Sequence, residues 1–226
     1  MNICIIGKGS IGTRHAKIFK SLGCNIFFLR SEKKMLDYAN EVNSTKKFNK
    51  KISLYCICNP SSKHFKSFKD IASHKANIFI EKPLVTNLKD LKNIKKLIKK
   101  HKINLFNGYM LRKDPRINLI KEKIKKEKIR YSNFVWQTFM PKWHNKENFK
   151  KSYASQKKLG GGVLLTCAHE IDLAVYLFGK VQEVLCVENN STTKIDVDSS
   201  VHIILKHNNK INSNITLDFL SNHKAK

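Results

Sequence analysis

Residues 1–23 read MNICIIGKGSIGTRHAKIFKSLG. An apolar run from Asn2 to Ile6 leads into Gly7, Gly9 and Gly12, and Ile11, His15, Ile18 and Leu22 then recur at helical spacing. Strand, glycine turn and helix in that order are what a phosphate-binding turn requires. Gly7 permits the tight turn, Gly9 lets a pyrophosphate approach the backbone, and Gly12 packs the helix closely on its sheet. Ser10, Ile11 and the amides after them stand at the helix N-terminus, where the dipole favours anions. A glycine triplet by itself is weak evidence. Its meaning rests on the chain downstream of it.

Beyond residue 23 the sequence alternates short apolar runs with amphipathic stretches. Strand-like runs are NICII (2–6), NIFFL (25–29), ISLYCIC (52–58), NIFIE (77–81) and INLFNGYM (103–110), with helical patterns over roughly 11–22, 32–41, 61–75 and 87–102. Continuous rather than alternating apolar runs indicate strands covered on both faces, hence a parallel sheet with right-handed crossovers. This predicts a doubly wound α/β domain over residues 1–112. From 113 to 226 the pattern changes. A basic helix (115–129, with Ile117, Ile120 and Ile124 inward) precedes a strand (130–140), an irregular polar stretch (141–158), and a helix over 159–179 that Gly179 ends. Three strands come next, joined by polar turns of which HNNK (207–210) is the clearest. The expectation is an α+β domain on a mostly antiparallel sheet.

Composition narrows the function. The 226 residues carry 44 Lys+Arg against 17 Asp+Glu, a formal charge of +27 that invites a nucleic-acid reading. Nearly all of it is lysine spread along helix faces. In LKDLKNIKKLIKKHK (88–102), Leu88, Leu91, Ile94 and Ile98 form the apolar stripe and lysines take the rest. Base-reading proteins lean on arginine forks, and arginine stands only at positions 14, 30, 112, 116 and 130. No specific nucleic-acid partner is expected. No run approaches the ~20 apolar residues of a membrane helix. Cys4, Cys24, Cys56, Cys58, Cys167 and Cys186 are scattered with no second pair to complete a zinc site, so they read as small core residues in a reducing cytoplasm, with no metal.

Chemistry-bearing residues stand at the expected carboxyl ends of strands. After the second strand, Arg30 and Ser31 occupy the place of a 2′-phosphate, which favours NADP, while Glu32 keeps NAD open. After the third, Asn59 and Pro60 form a turn and Ser61 is positioned to cap the next helix. After the fourth come Glu81 and Lys82 before Pro83, facing the same crevice as the glycine turn.

GKGSIGTRH, CNPSSKH, EKPL, NGYMLRKDPR and LGGGVLLTCAHEIDLAVYLFG, in this order, resemble the glucose–fructose oxidoreductase / inositol dehydrogenase / MocA family over essentially the whole chain. The resemblance implies a Rossmann domain holding NAD(P) and a second domain whose sheet forms a substrate pocket and an oligomer contact. It implies that Lys82 contacts substrate and nicotinamide and that His169 exchanges the proton of the reacting hydroxyl or carbonyl. Asn59, Pro60 and His64 match a cofactor-lining turn, Tyr109 and Arg112 the segment entering the second domain, and Trp143 and His144 a substrate-side loop. Asp172, one helical turn after His169, lies on the same face, where it could orient the imidazole. The implied reaction is hydride transfer between nicotinamide and a hydroxyl or keto carbon of a sugar or nucleotide sugar, in surface-polysaccharide biosynthesis. Two departures stand out. The family commonly places a carboxylate three or four residues before this histidine, where this chain has Thr166 and Leu165. Related chains also continue past the LDF strand, so the second domain is expected to be incomplete and to expose a sheet edge. The alternative expectation is an NAD(P)-binding family member with little or no catalysis.

Overall fold

Asn2–Ile6 forms strand β1 and Ser10–Ser21 forms helix α1, joined by the glycine turn. The structure, a computed structural model, describes residues 1–29, 40–42, 51–143, 148–190 and 195–222. Arg30, Ser31, Glu32 and His144 therefore lie outside the described residues. Two compact units are present, Met1–Gly108 and Tyr109–Lys226.

In the first unit β1 is joined by β2 (Asn25–Leu29), β3 (Asn40–Val42), β4 (Leu54–Ile57), β5 (Asn77–Ile80) and β6 (Leu105–Asn107). All pair in parallel, in the order β3-β2-β1-β4-β5-β6. Helices α2 (His64–Ile71) and α3 (Leu88–His101) serve the crossovers. The order reverses between β1 and β4, the point at which doubly wound sheets bind ligands. Both sheet faces are covered: Cys4 and Ile6 pack with Phe68, Ile71 and Ile94, and Ile3 and Ile5 with Ala16, Phe28 and Cys56. Burial holds the Cys56 thiol up at about 12, so it behaves as a small apolar group.

Helix faces depart from the sequence periodicity. The buried residues of α1 are Gly12 and Ala16, whereas Ile11, Ile18 and Leu22 are exposed. The cause is Gly12: a Cβ there would stand 2.0 Å from the Gly7 carbonyl oxygen, so the glycine side of the helix must meet the turn. On α3, Ile94 is fully buried but Leu88, in the first turn, is 74% exposed. The described part of the stretch expected to be helical over 32–41 falls in strand β3. Ser61 opens a 3-10 turn, Ser61–Lys63, with no side-chain cap, and is itself buried.

In the second unit a 3-10 turn (Met110–Lys113) leads to α4 (Pro115–Ile124), which Asp114 caps by accepting the Arg116 N–H. Ile120, expected inward, is exposed. Then come β7 (Tyr131–Gln137), α5 (Met140–Trp143), α6 (Val163–Thr166), α7 (Ala168–Phe178), β8 (Val181–Asn190), β9 (Asp198–His207) and β10 (Asn212–Asp218). The helix expected over 159–179 is thus broken at Cys167, while Gly179 ends α7 at φ +85°. The sheet order is β7-β10-β9-β8, parallel only between β7 and β10. One face buries Val201, Ile203, Leu205, Ile215 and Leu217 with Trp136, Val163, Cys167 and Ala174. On the other, Leu185, Val187 and Ile204 are exposed, with Leu185 directly opposite Ile204. Buried His207 pins α7 to this sheet. Its Nδ1 donates to the Gly179 carbonyl at 3.1 Å, so its Nε2 accepts from Ser213 Oγ at 2.9 Å. Among the described residues no single helix is long and apolar enough to cross a membrane.

Candidate functional site

The glycine turn is shaped by two forbidden side chains and one permitted approach. Gly7 adopts φ +106°, and a Cβ there would lie 2.6 Å from the Asn59 backbone nitrogen. Gly12 is closed by the Gly7 carbonyl. Gly9 has nothing within 4 Å of where its Cβ would be. It is the extended N-cap of α1, with no side-chain cap of its own. Exposed Ser10 and Ile11 begin the helix behind it. That open space at the start of a helix, whose first amides lack intrahelical partners, leaves room for an anion such as the pyrophosphate that the sequence reading expects. Beside the turn, Asn59 donates through Nδ2 to Ser67 Oγ at 2.8 Å, while its Oδ1 is buried and has no partner among the described residues.

The end of β5 is braced by two histidines. Glu81 Oε1 lies 2.7 Å from His15 Nε2, and Glu81 Oε2 accepts the Lys82 backbone N–H at 3.2 Å. Asn107 Nδ2 donates to the Ile80 carbonyl at 2.8 Å from the neighbouring strand. His64 is 1% exposed. Its Nδ1 faces the Pro83 carbonyl and its Nε2 the Asn59 carbonyl, each at 2.9 Å. Burial pushes its pKa below the ordinary 6.5, against the pull of those carbonyls. In the neutral ring only one nitrogen donates, so one carbonyl at a time is served. His64 was expected to line the cofactor; the structure makes it an internal brace between the Asn59 and Pro83 turns. Glu81, likewise expected at the cofactor, spends its carboxylate inside the fold. Helical periodicity marked His15 only as a stripe residue. The signal available was its spacing from Gly12: positions 12, 15, 16 and 19 share the side of α1 that meets the sheet.

In the second unit His169 stands half-buried in the first turn of α7, with the Tyr109 ring edge-on at 6.0 Å. Asp172 was expected to orient His169. Instead its carboxylate is clamped by Arg112, Nε to Oδ2 at 2.8 Å and Nη2 to Oδ1 at 2.5 Å. The guanidinium also stands 5.8 Å from the Tyr109 ring centroid and 5.2 Å from that of Tyr176. Burial, then the Asp172 charge, raises the Tyr109 hydroxyl above its usual pKa. Arg112 and Asp172 thus satisfy each other, whereas both were expected to serve substrate. Trp143, expected on a substrate-side loop, packs at 5.2 Å on Trp136 and 5.8 Å on Phe219 as part of the core. Thr166 is buried at the end of α6.

The glycine run before α6 is a packing device. A Cβ on Gly161 would lie 2.5 Å from the carbonyls of Tyr153 and Ala154, and one on Gly162, at φ +104°, would lie 2.0 Å from Asp198 Oδ1. Asp198, which the sequence did not single out, uses its other oxygen to accept the Leu164 N–H at 2.7 Å. From the start of β9 it satisfies an N-terminal amide of α6.

Comparison with known proteins agrees with both units. Residues 1–109 match an oxidoreductase family with an NAD-binding Rossmann fold, and residues 120–225 match the GFO/IDH/MocA C-terminal domain. The chain is 24% identical over 222 residues to the myo-inositol 2-dehydrogenase of Thermotoga maritima; the match takes in 90% of this chain but spans only 64% of that protein's length. The fold also matches the WlbA dehydrogenase of Bordetella pertussis, crystallised with NADH and UDP-GlcNAcA, at a TM-score of 0.86 and 17% identity over 99% of this chain and 68% of the other. The myo-inositol 2-dehydrogenase of Lactobacillus plantarum matches at 0.83 and 20% identity, over 99% and 71%. With both family domains matched along nearly its whole length, the chain belongs to the GFO/IDH/MocA oxidoreductase family.

Proposed function

We propose that this chain is an NAD(P)-dependent oxidoreductase acting on a hydroxyl or keto carbon of a sugar or nucleotide sugar. The observation that carries the reading is the open approach over Gly9, at the switch point of a six-stranded parallel sheet. Gly9, Ser10, Ile11 and the α1 amides would hold the pyrophosphate, with Asn59 and Pro60 beside them. A bound nicotinamide supplies the hydride acceptor or donor. Lys82 offers a cation to the reacting oxygen and stabilises negative charge developing there. His169 takes or returns that oxygen's proton, a task suited to imidazole near neutral pH. Tyr109 holds the His169 ring from its edge. Arg30 and Ser31 favour NADP, although the Bordetella relative was crystallised with NADH. The exposed sheet face around Leu185 and Ile204 is proposed as the contact between copies of the chain.

Fluorescence titration with NADH and NADPH tests the cofactor site: micromolar binding is expected in the parent and loss of binding in Gly9→Asp. Arg30→Ala should weaken NADPH selectively. Turnover with a panel of sugars and nucleotide sugars, lost in Lys82→Ala and in His169→Ala, tests the chemistry. If His169→Ala keeps full turnover, the proton-transfer role is wrong. The buried Thr166 in place of the family's carboxylate favours a second reading, a dinucleotide-binding member with weak catalysis. That reading expects binding without turnover and a gain of rate in Thr166→Asp.

A further inference from the structure

We propose that His15 is a positioning residue for Lys82: through Glu81 it fixes where the lysine turn begins, tying that turn to the helix that opens the dinucleotide site. The inference rests on the proposed role of Lys82 but is drawn from the geometry of the first unit alone. The two oxygens of Glu81 do different work. Oε1 meets His15 Nε2 at 2.7 Å, and Oε2 accepts the Lys82 N–H at 3.2 Å. The carboxylate is confined on its remaining sides. Gly108 stands so close that a Cβ there would lie 2.8 Å from Oε2. The His15 ring is held edge-on against Phe79 at 5.3 Å and alongside Phe19 at 6.3 Å. The two side chains are only 21% and 15% exposed, so water replaces neither partner well. His15 lies one turn beyond Gly12, and Glu81 adjoins Lys82 in sequence. Two hydrogen bonds to one carboxylate therefore connect the helix after the glycine turn to the lysine backbone. Without His15, Glu81 loses a partner in a half-buried site and turns toward solvent, which releases the Lys82 amide.

The test tracks the Lys82 amide by NMR and hydrogen exchange in the unliganded protein, alongside NADH and NADPH affinity and cooperative melting. In His15→Ala, the Lys82 amide is expected to shift and to exchange about tenfold faster, and dinucleotide affinity to fall about fivefold. His15→Gln, whose side-chain amide donates to Glu81, is expected to restore both. The double variant His15→Ala/Glu81→Gln is expected to be no weaker than the weaker single one, because both break the same link. An unmoved Lys82 amide in folded His15→Ala, or additive losses in the double variant, would overturn the proposal. If His15→Ala does not fold, Gly108→Ala takes its place. It pushes the Glu81 carboxylate away while leaving the histidine, and must produce the same change at Lys82. Should the parent bind neither dinucleotide, the proposed function fails, while the amide of the unliganded chain still decides this inference.

Discussion

Gly9 and Gly12 lie three residues apart and have opposite tolerances. Gly12→Ala places a methyl 2.0 Å from a backbone oxygen and is expected to cost about 3 kcal/mol in urea unfolding. Gly9→Ala meets nothing and is expected to change stability by under about 1 kcal/mol, so that any loss of dinucleotide affinity there is a binding effect. His64 gives a pH prediction. Its folded pKa is depressed, so as pH falls through 6.5 the unfolded chain takes up the proton first. Stability from this residue is present above pH 6.5 and is lost below it, by at most about 1.4 kcal/mol per pH unit, until the folded ring titrates too. Melting temperatures between pH 7.5 and 5 should fall less steeply in His64→Asn than in the parent. Gly7 and Gly12 were legible in the sequence because their backbone demands name the residue type. The links His15–Glu81 and Asp198–Leu164 were not, because their partners lie 66 and 34 residues apart and no local pattern announces such pairs.

At the scale of elements, the strands were legible and the helix faces only partly so. Continuous apolar runs gave β1, β2, β4 and β5 nearly to the residue, since a strand buried on both faces leaves little freedom. Periodicity misassigned the buried side of α1 because Gly12 must approach the turn whatever the positions of the larger apolar residues. Leu88 fails for a related reason: α3 rests on the sheet through its middle, around Ile94. Leu88→Lys is accordingly expected to leave stability within about 0.5 kcal/mol of the parent. His207→Leu is expected to cost about 2 kcal/mol, because it strands the Gly179 carbonyl in the junction between α7 and the sheet and leaves the Ser213 hydroxyl with Ser132 Oγ alone. Calorimetry of the two variants separates these expectations.

For the whole molecule, one face of the second unit's sheet is covered and the other presents Leu185, Val187 and Ile204. If that face joins copies of the chain, Leu185→Lys/Ile204→Glu should lower the mass measured by light scattering while leaving NADH binding in place. An unchanged mass would remove the sheet face as the contact. The formal charge of +27 belongs to the same scale: it predicts weak retention on a polyanion column that falls steeply with salt, as diffuse charge does. The lysine excess was legible at once, but its meaning came only from its distribution over solvated helix faces.

Gly108 has a consequence for how this strand end can be altered. Its place beside Glu81 couples the two positions: a methyl at 108 is accommodated only if the end of the acid at 81 swings aside, whereas a shorter residue at 81 leaves room for it. A substitution at either position is therefore to be judged with the other in view.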